Sequence, residues 1–402
     1  MVYDWSGPSV SEFIGLLVRA EDLVARIDER LRKSPAAAGF VERAHFHDAV
    51  AALWIEGELV HVEDLVLHDA MMDVRTPTHE LTRAHAVLRT RRRIFSQASD
   101  WALSRAGLSA LVGRESAGPQ GSEARLVERP GDAEPLAESD PTDDDEPVDE
   151  LALQLAEIDA VLARSQRLLD GTTATNQSEI DAAIEPAPDS SNTGTVANIG
   201  QPAPIAARSE RNELIMDADW DEEQRLAEWL ELAGLPHGEA TPLLTAALAW
   251  DAWEQIAPLQ RQAWLGNLLA ASALRRAGKT ASHLFALNTG LRTVARDRRR
   301  ARDRHTRLAA FLEGAAAAAE AGLKELDRLA MARVQMERRL RNRRSNSSLP
   351  ALIELVLSRP MVSTGLVAKE LGVTQRAALG LIGELDLREL TGRGRFRAWG
   401  IV

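Results

Sequence analysis

Apolar residues recur at helical spacing along most of this 402-residue chain. A helix over residues 9–33 is predicted by the stripe Val10, Phe13, Leu17, Val24 and Leu31, and Pro35 ends it. The same spacing predicts further helices over residues 40–57 and 62–72, from residue 77, and between Trp101 and Leu111. We therefore expect a compact amino-terminal helical region over residues 1–113.

The helical pattern is interrupted over residues 114–210. Gly, Pro, Ser and acidic residues dominate 114–147, and Thr, Asn, Ser, Pro and Ala dominate 171–210. Such segments cannot bury enough apolar surface to offset the loss of chain entropy, so we interpret both as disordered linkers. Between them, apolar residues near one stripe predict an isolated helix over residues 149–169.

A second helical region is predicted over residues 211–345. It contains five of the nine tryptophans, namely Trp220, Trp229, Trp250, Trp253 and Trp264. Since aromatic residues make up only 4% of the chain, this concentration indicates a packed core rather than a ligand-stacking surface. The region ends in an amphipathic helix, which we expect to form a dimer interface over residues 315–340. No alternation typical of strands precedes residue 386.

The last segment, residues 346–402, has the spacing of a winged helix-turn-helix domain. Its apolar pattern predicts three helices, over residues 349–357, 362–371 and 374–385. The two helices of the motif cross closely, and the small residue Ala368 stands four positions before Gly372, where the turn often requires a positive φ. The expected caps are Ser363 or Thr364 and Thr374, and the expected inward-facing residues are Val367, Leu371, Val373 and Leu381.

A helix-turn-helix places the start of its second helix in the major groove of DNA. Glutamine there can pair with adenine and arginine with guanine, and either can contact phosphate instead. Downstream, residues 390–399 predict a β-hairpin wing with its turn at Gly392 and Gly394. The predicted DNA-contacting residues are Ser363, Thr364, Thr374, Gln375, Arg376, Arg393, Arg395 and Arg397.

Charge is distributed unevenly along the chain. The formal net charge is −12, and residues 115–150 contain thirteen acidic residues against two arginines. Residues 338–402 instead contain twelve arginines and lysines against five acids, a local balance of +7 that favours contact with DNA phosphates. There is no cysteine, no apolar stretch of membrane length and no amino-terminal signal peptide, so we expect a cytoplasmic protein that is not in a membrane.

Two segments resemble Fic-domain proteins that carry an amino-terminal helical extension and a carboxyl-terminal winged helix. Residues 51–57 are similar to the family's inhibitory-helix motif, Ser/Thr-x-x-x-Glu-Gly/Asn, with Ala52 in place of the hydroxyl residue. Residues 311–314 resemble the segment that joins a Fic core to its winged helix. The chain also resembles rhizobial proteins of unknown function with a helix-turn-helix carboxyl end. The resemblance implies a mainly α fold, a helical bundle followed by a winged helix-turn-helix with a small β-hairpin wing.

The resemblance also implies where a transferase site should lie. The Fic signature is His-x-Phe-x-Asp/Glu-Gly-Asn-Gly-Arg-x-x-Arg, whose histidine is a base, whose acid binds a metal and whose glycines and arginines cradle phosphates. In the matching segment, residues 253–269, Ala257 replaces the base and Arg261 the metal-binding acid. The glycines, the asparagine and the arginines are replaced by Gln262, Trp264, Ala263, Leu265 and Leu268.

These replacements decide the predicted function. Alanine cannot accept a proton and arginine cannot bind magnesium, so we predict that the chain is not an enzyme and uses no cofactor. The spacing of His45, His47, His61 and His68 does not predict a metal site either. We predict a DNA-binding transcriptional regulator that acts as a homodimer on double-stranded DNA. Two alternatives stay open: a Fic-type nucleotidyl transferase with a divergent site, and a protein-interaction scaffold.

Overall fold

The computed structural model describes residues 13–73, 76–113, 220–234, 240–340, 348–391 and 397–401. The predicted linkers at 114–147 and 171–210 and the predicted helix at 149–169 lie outside these residues. All the described residues belong to one compact unit, which is formed by Met1–Gly118 and Glu213–Val402. The division of the sequence into four regions stays a prediction.

The amino-terminal region is helical. Its first four helices are α1 (Ile14–Lys33), α2 (Ala37–Glu56), α3 (Val62–Asp69) and α4 (His79–Ser96). The short helix predicted between Trp101 and Leu111 is instead a 3-10 turn, Trp101–Leu103, followed by α5, Arg105–Val112. Ser104 separates the two because its hydroxyl accepts the Gly107 N–H at 3.0 Å and so caps α5.

The second helical region is built around one long helix. Its helices are α6 (Glu222–Gly234), α7 (Pro242–Ile256), α8 (Leu265–Arg276), α9 (Leu287–Leu291), α10 (Arg296–Arg299) and α11 (Arg304–Leu340). α11 packs along α1 and α9. The crossing with α9 is so close that a Cβ on Gly290 would lie 1.8 Å from the carbonyl oxygen of Gly314. Much of the apolar face that we expected to form a dimer interface is therefore used inside the chain.

The tryptophans of this region form a packed core, as the sequence predicted. Four of its five tryptophans are at most 4% exposed, namely Trp229, Trp250, Trp253 and Trp264. Trp220 is only partly buried, and the guanidinium of Arg225 lies 3.6 Å from its ring centroid. Of the helices that the structure describes, none is long and apolar enough to cross a membrane.

A buried chain of hydrogen bonds joins this core to α2. The Trp250 indole donates to Asn267 at 2.7 Å, and the Asn267 amide donates to Asn288 at 2.7 Å. Asn288 then donates to Asp48 at 2.8 Å, and the fully buried Arg91 forms an ion pair with the same carboxylate. These buried polar groups bond to one another across five helices, α2, α4, α7, α8 and α9, and so hold these helices in one arrangement.

The carboxyl-terminal region is a winged helix-turn-helix. Its helices are α12 (Leu349–Ser358), α13 (Thr364–Leu371) and α14 (Gln375–Leu385). A three-stranded antiparallel sheet of order β1-β3-β2 completes it, with β1 Val362–Ser363, β2 Arg388–Glu389 and β3 Ala398–Gly400. The predicted hairpin is formed by β2 and β3, and its predicted turn residues Gly392 and Gly394 lie outside the described residues. β1 was not predicted, because two residues carry no readable alternation.

The winged helix packs on the amino-terminal helices through α12 and α2. Gly39 permits the close approach, since a Cβ there would lie 2.7 Å from the Cβ of Leu357. Arg43, only 2% exposed, donates to the Val356 carbonyl at 3.2 Å and pairs with Glu325 of α11 at 3.0 Å. Burial lowers the pKa of Arg43 to about 10, so it stays charged at neutral pH. The fold is thus a helical bundle with a winged helix fixed to it.

Candidate nucleic-acid interface

Two hydroxyl caps and one glycine define the helix-turn-helix. The Ser363 hydroxyl accepts the Leu366 N–H at 3.1 Å and caps α13, so Thr364 is the first helical residue rather than the cap. Gly372 ends α13 with a φ of 64°, which a residue with a Cβ adopts only at a cost. The Thr374 hydroxyl accepts the Ala377 N–H at 3.2 Å and caps α14.

The inward face of α14 differs from the predicted face by one residue. Its buried residues are Ala378, Ile382 and Leu385, whereas Leu381 is only partly buried. Leu381 and Ile382 are neighbours, and apolarity alone does not show which of them faces inward. Helix geometry selects Ile382, because it lies four residues after the buried Ala378. Val367 is buried, and Leu371 and Val373 are partly buried, as expected.

The amino-terminal end of α14 is open to solvent. Thr374, Gln375 and Arg376 are all exposed. Within the part of the chain that the structure describes, the side chains of Gln375 and Arg376 have no hydrogen-bond or ion-pair partner. The free N–H groups and dipole of a helix amino terminus favour anions, and a glutamine and an arginine can both donate to base edges. This end therefore presents unsatisfied donors to an outside partner.

The outer face of α14 carries glycine, and so no side chain, at two positions. Leu379 is 46% exposed, and a Cβ added at Gly380 or Gly383 would meet no atom within 4 Å. A glycine in an exposed helix interior destabilises the helix by about 1 kcal/mol relative to alanine. No contact among the described residues requires these two glycines, so their effect is to keep the face flat.

Acidic side chains lie near the carboxyl ends of α13 and α14. Asp386 follows the carboxyl terminus of α14 and pairs with Arg339 at 2.9 Å. Glu370 lines a shallow open groove formed by α2, α12 and α13, together with Glu42 and Glu354. α14 is thus cationic at its start and anionic at its end, which suits a phosphate backbone at the start.

The wing contributes one described arginine. Arg397 is exposed, forms an ion pair with Glu389 at 2.6 Å, and lies 5.2 Å from the Trp399 ring centroid. The hydrogen bond to Glu389 raises the pKa of Arg397. Arg397 can reach DNA only by exchanging this carboxylate for a phosphate, and exposed pairs of this kind exchange easily. The predicted contacts Arg393 and Arg395 lie outside the described residues.

The segment that resembles the Fic signature, residues 253–269, comprises the end of α7, the α7–α8 loop and the start of α8. Trp264, Leu265 and Leu268, which stand where a phosphate cradle needs glycine and arginine, are buried apolar residues. Glu56, in the segment similar to the inhibitory motif, accepts the Trp264 N–H at 2.8 Å and pairs with Arg83. Burial raises the pKa of Glu56. Because it accepts the Trp264 N–H, the Glu56 carboxylate holds the backbone of the loop in place.

Histidines do not gather into a metal site here. No group of three or more histidine, aspartate and glutamate side chains in the described ranges could hold a metal ion. His45 is 1% exposed, and neither ring nitrogen has a hydrogen-bond partner among the described residues. Burial, followed by the charges of Arg91 and Arg92, lowers the pKa of His45 well below its usual value, so the ring is neutral.

One basic feature was missed in the sequence. Residues 292–307 contain eight arginines against two aspartates, a higher density than in the winged helix. A count of charge in short windows along the whole chain would have found it, whereas the sum taken over residues 338–402 did not include it.

Two family models match parts of the chain. Residues 214–341 match the family described as "Protein of unknown function (DUF1612)", and residues 349–402 match an HTH DNA binding domain. The chain is 46% identical over 408 residues to the uncharacterized protein y4cF of Sinorhizobium fredii (strain NBRC 101917 / NGR234), with 100% of both chains covered.

The chain is also similar to a crystal structure of a Fic family protein from Desulfovibrio desulfuricans G20. That similarity has a TM-score of 0.44 and 12% sequence identity, and it covers 99% of this chain and 98% of the other. At this level it says nothing about chemistry, so what the α7–α8 loop can do follows from its own residues.

Proposed function

This chain belongs to the same family as the uncharacterized protein y4cF of Sinorhizobium fredii and carries a helix-turn-helix DNA-binding domain, and on that premise we propose that it is a non-enzymatic, sequence-specific DNA-binding protein that regulates transcription. The observation that supports this most is the amino-terminal end of α14, where Gln375 and Arg376 are exposed and unpaired among the described residues. Donors in this position of a helix-turn-helix contact base edges in the major groove.

Selection of bound fragments from random duplex DNA by the full-length protein tests the proposal. The full chain is required because α12 packs on α2 and would lose that contact in an isolated domain. On the selected site, Arg376→Ala should weaken binding by ~1–3 kcal/mol and relax the base preference. Arg89→Ala, which removes an exposed arginine from α4, is the matched control. The proposal fails if no duplex is bound at low salt, or if Arg376→Ala binds like the control.

The non-enzymatic part rests on the α7–α8 loop. Ala257 has no group that accepts a proton, and general-base assistance is worth ~10²–10⁴ in rate. Trp264, which stands where the resemblance expects a phosphate-binding glycine, is a buried apolar side chain. Incubation with labelled ATP and a cell lysate should label no protein beyond the level seen with heat-inactivated chain. Transfer of nucleotide above that level would instead support a divergent transferase.

The proposed regulator acts as a homodimer, because two-fold operators require two helix-turn-helix domains. Met331 and Val334 are 65% and 46% exposed, and they lie one turn apart on α11. Sedimentation should give a dimer that Met331→Asp weakens. Two results together would instead favour the scaffold alternative. Arg397→Gln would leave DNA affinity unchanged, and the chain would bind another protein through the α11 face that carries Met331 and Val334.

A further inference from the structure

The segment between α9 and α11 forms a strongly basic surface that the helix-turn-helix does not include. We call residues 292–302 the arginine segment; it contains α10 and carries six arginines against one aspartate. Four of them are exposed and have no hydrogen-bond or ion-pair partner in the described part of the chain: Arg292, Arg296, Arg300 and Arg302.

Arginines elsewhere in the helical body are mostly paired across the fold. Examples are the pairs Arg19–Glu320, Arg30–Asp327, Arg43–Glu325, Arg83–Glu58 and Arg92–Asp69. The chain has 60 acidic residues against 48 lysines and arginines, so carboxylates are plentiful. Like charges grouped without partners repel one another and destabilise the fold slightly. Four such arginines together therefore point to a polyanion outside the chain.

The remaining arginines fix the segment in place. Arg298 pairs with Glu313 of α11 at 2.8 Å, and Arg299, 5% exposed, donates to the Val294 carbonyl at 3.0 Å. Arg307, at the start of α11, forms a buried ion pair with Asp251 at 2.6 Å. The segment is thus anchored from inside, and the four unpaired side chains point outward on a rigid support.

Nearby carboxylates do not neutralise the outer arginines. Glu254 and Glu56 interact electrostatically with Arg300 but form no ion pair with it in the described structure. Burial raises the pKa of both carboxyl groups.

The distance to α14 sets what a shared ligand must be. α11 begins directly after the segment, and its Arg339 contacts Asp386 at the carboxyl end of α14. At about 1.5 Å per residue, the 35 residues from Arg304 to Arg339 span ~50 Å. A DNA duplex rises ~3.4 Å per base pair, so ~15 base pairs cover this distance. A free nucleotide is too short to span this distance, whereas a duplex of that length is long enough.

We propose that the arginine segment is a second DNA-binding surface, which contacts the phosphate backbone flanking the site bound by α14. The inference rests on the proposed function. Because the segment offers arginines on a short helix and loops rather than an element that enters a groove, its contacts go to phosphates. It therefore adds affinity and salt dependence without adding base preference.

The test uses the full chain with Arg292, Arg296, Arg300 and Arg302 all changed to alanine. The matched control removes four arginines from other surfaces, by changing Arg19, Arg26, Arg89 and Arg105 to alanine. Binding of the selected site is measured at several salt concentrations, once in a duplex of ~15 base pairs and once in a duplex of ~45, with the site at the centre of each, so that only the long duplex extends ~15 base pairs beyond the site. On the long duplex, the slope of log K against log salt should fall by ~3–4, since each phosphate contact contributes ~0.9.

Three further results are expected. The short duplex should show no difference between the segment variant and the control, the ratio of specific to random binding should be unchanged, and the control should keep the wild-type slope. The milder variant with only Arg292→Ala and Arg296→Ala should lower the slope by ~2, which keeps the test valid if the fourfold variant does not fold. A segment variant that folds and keeps the control's slope on the long duplex overturns this inference alone. A wild-type chain that binds neither duplex overturns the proposed function as well.

Discussion

The protein contains two pairs of helices joined by short connections, and the two are built in opposite ways. The α7–α8 loop directs its tryptophan inward: Trp264 is 4% exposed, and the Trp264 N–H donates to the Glu56 carboxylate. The α13–α14 turn faces outward, and Gln375 and Arg376 stand there without partners among the described residues. Trp264, whose ring is buried and whose N–H is bound within the fold, has nothing left with which to bind a ligand. The turn with free donors is where function is to be sought.

The largest expected effect comes from removing a buried side chain from one connection and comparing it with the removal of an exposed side chain from the other. Trp264→Ala should lower the free energy of unfolding by ~3–5 kcal/mol, because it removes a large buried side chain from the α7–α8 connection. Gln375→Ala at the α13–α14 connection should change it by less than ~0.5 kcal/mol, because the side chain is exposed and the Thr374 cap is kept. Urea unfolding measures both. Equal effects would contradict the inward and outward assignment.

Acid should weaken the helix that supports both connections, α2. Burial, followed by the charge of Arg43, lowers the pKa of His47 to about 4. The folded protein therefore prefers neutral His47, so its contribution is complete above pH ~6.5 and is lost as the pH falls towards 4. The free energy of unfolding should drop by up to ~3 kcal/mol over that range.

A His47→Gln variant provides the control for this pH effect. Glutamine does not titrate, so the variant should lose less stability than the wild type between pH 7 and pH 4 in the same urea titrations. Burial also lowers the pKa of His45, and that residue should supply the acid loss that the variant retains. Equal pH profiles for the two proteins would show that His47 is not the cause.

Two glycines test the contrast between buried and exposed positions with a smaller expected effect. A Cβ on Gly266 of α8 would lie 2.2 Å from the Trp253 ring, so Gly266→Ala should destabilise the fold by ~1–3 kcal/mol. Gly15→Ala, on a helix where the Cβ meets nothing within 4 Å, is the control and should not destabilise it. Thermal unfolding of the two variants decides; a Gly266→Ala protein as stable as the wild type would mean that α8 is free to shift.

Local rules were enough to predict the helix-turn-helix. Caps, a turn glycine and helical spacing act within a few residues, and the structure has Thr374, Gly372 and α14 as expected. The phase error at Leu381 arose because two neighbouring apolar residues compete for one inward position. The assignment of α14 to DNA contact rests on the same local rules and on exposure.

Long-range features could not be predicted from local patterns. Gly39 contacts Leu357, so the docking of the winged helix on α2 joins residues more than 300 positions apart. The contact from Glu56 to Trp264 and the hydrogen bond from Asn288 to Asp48 also join residues more than 200 positions apart. Which of many arginines stay unpaired, as in the arginine segment, depends on the same tertiary placement.

The smallest effect should separate stability from binding on α14 itself. Because Gly380 lies in an exposed helix interior with open space around its Cβ position, Gly380→Ala should raise the free energy of unfolding by ~0.5–1 kcal/mol. Gly380 also lies one turn after Arg376, on the face that we propose enters the groove, so an added methyl group there should weaken binding to the selected DNA. Gly383→Ala should stabilise the fold equally but weaken binding less, since the first turns of such a helix make the base contacts. A stabilised Gly380→Ala variant that binds DNA as well as the wild type would mean that this face stays outside the groove, and the flat outer surface of α14 would then need another explanation.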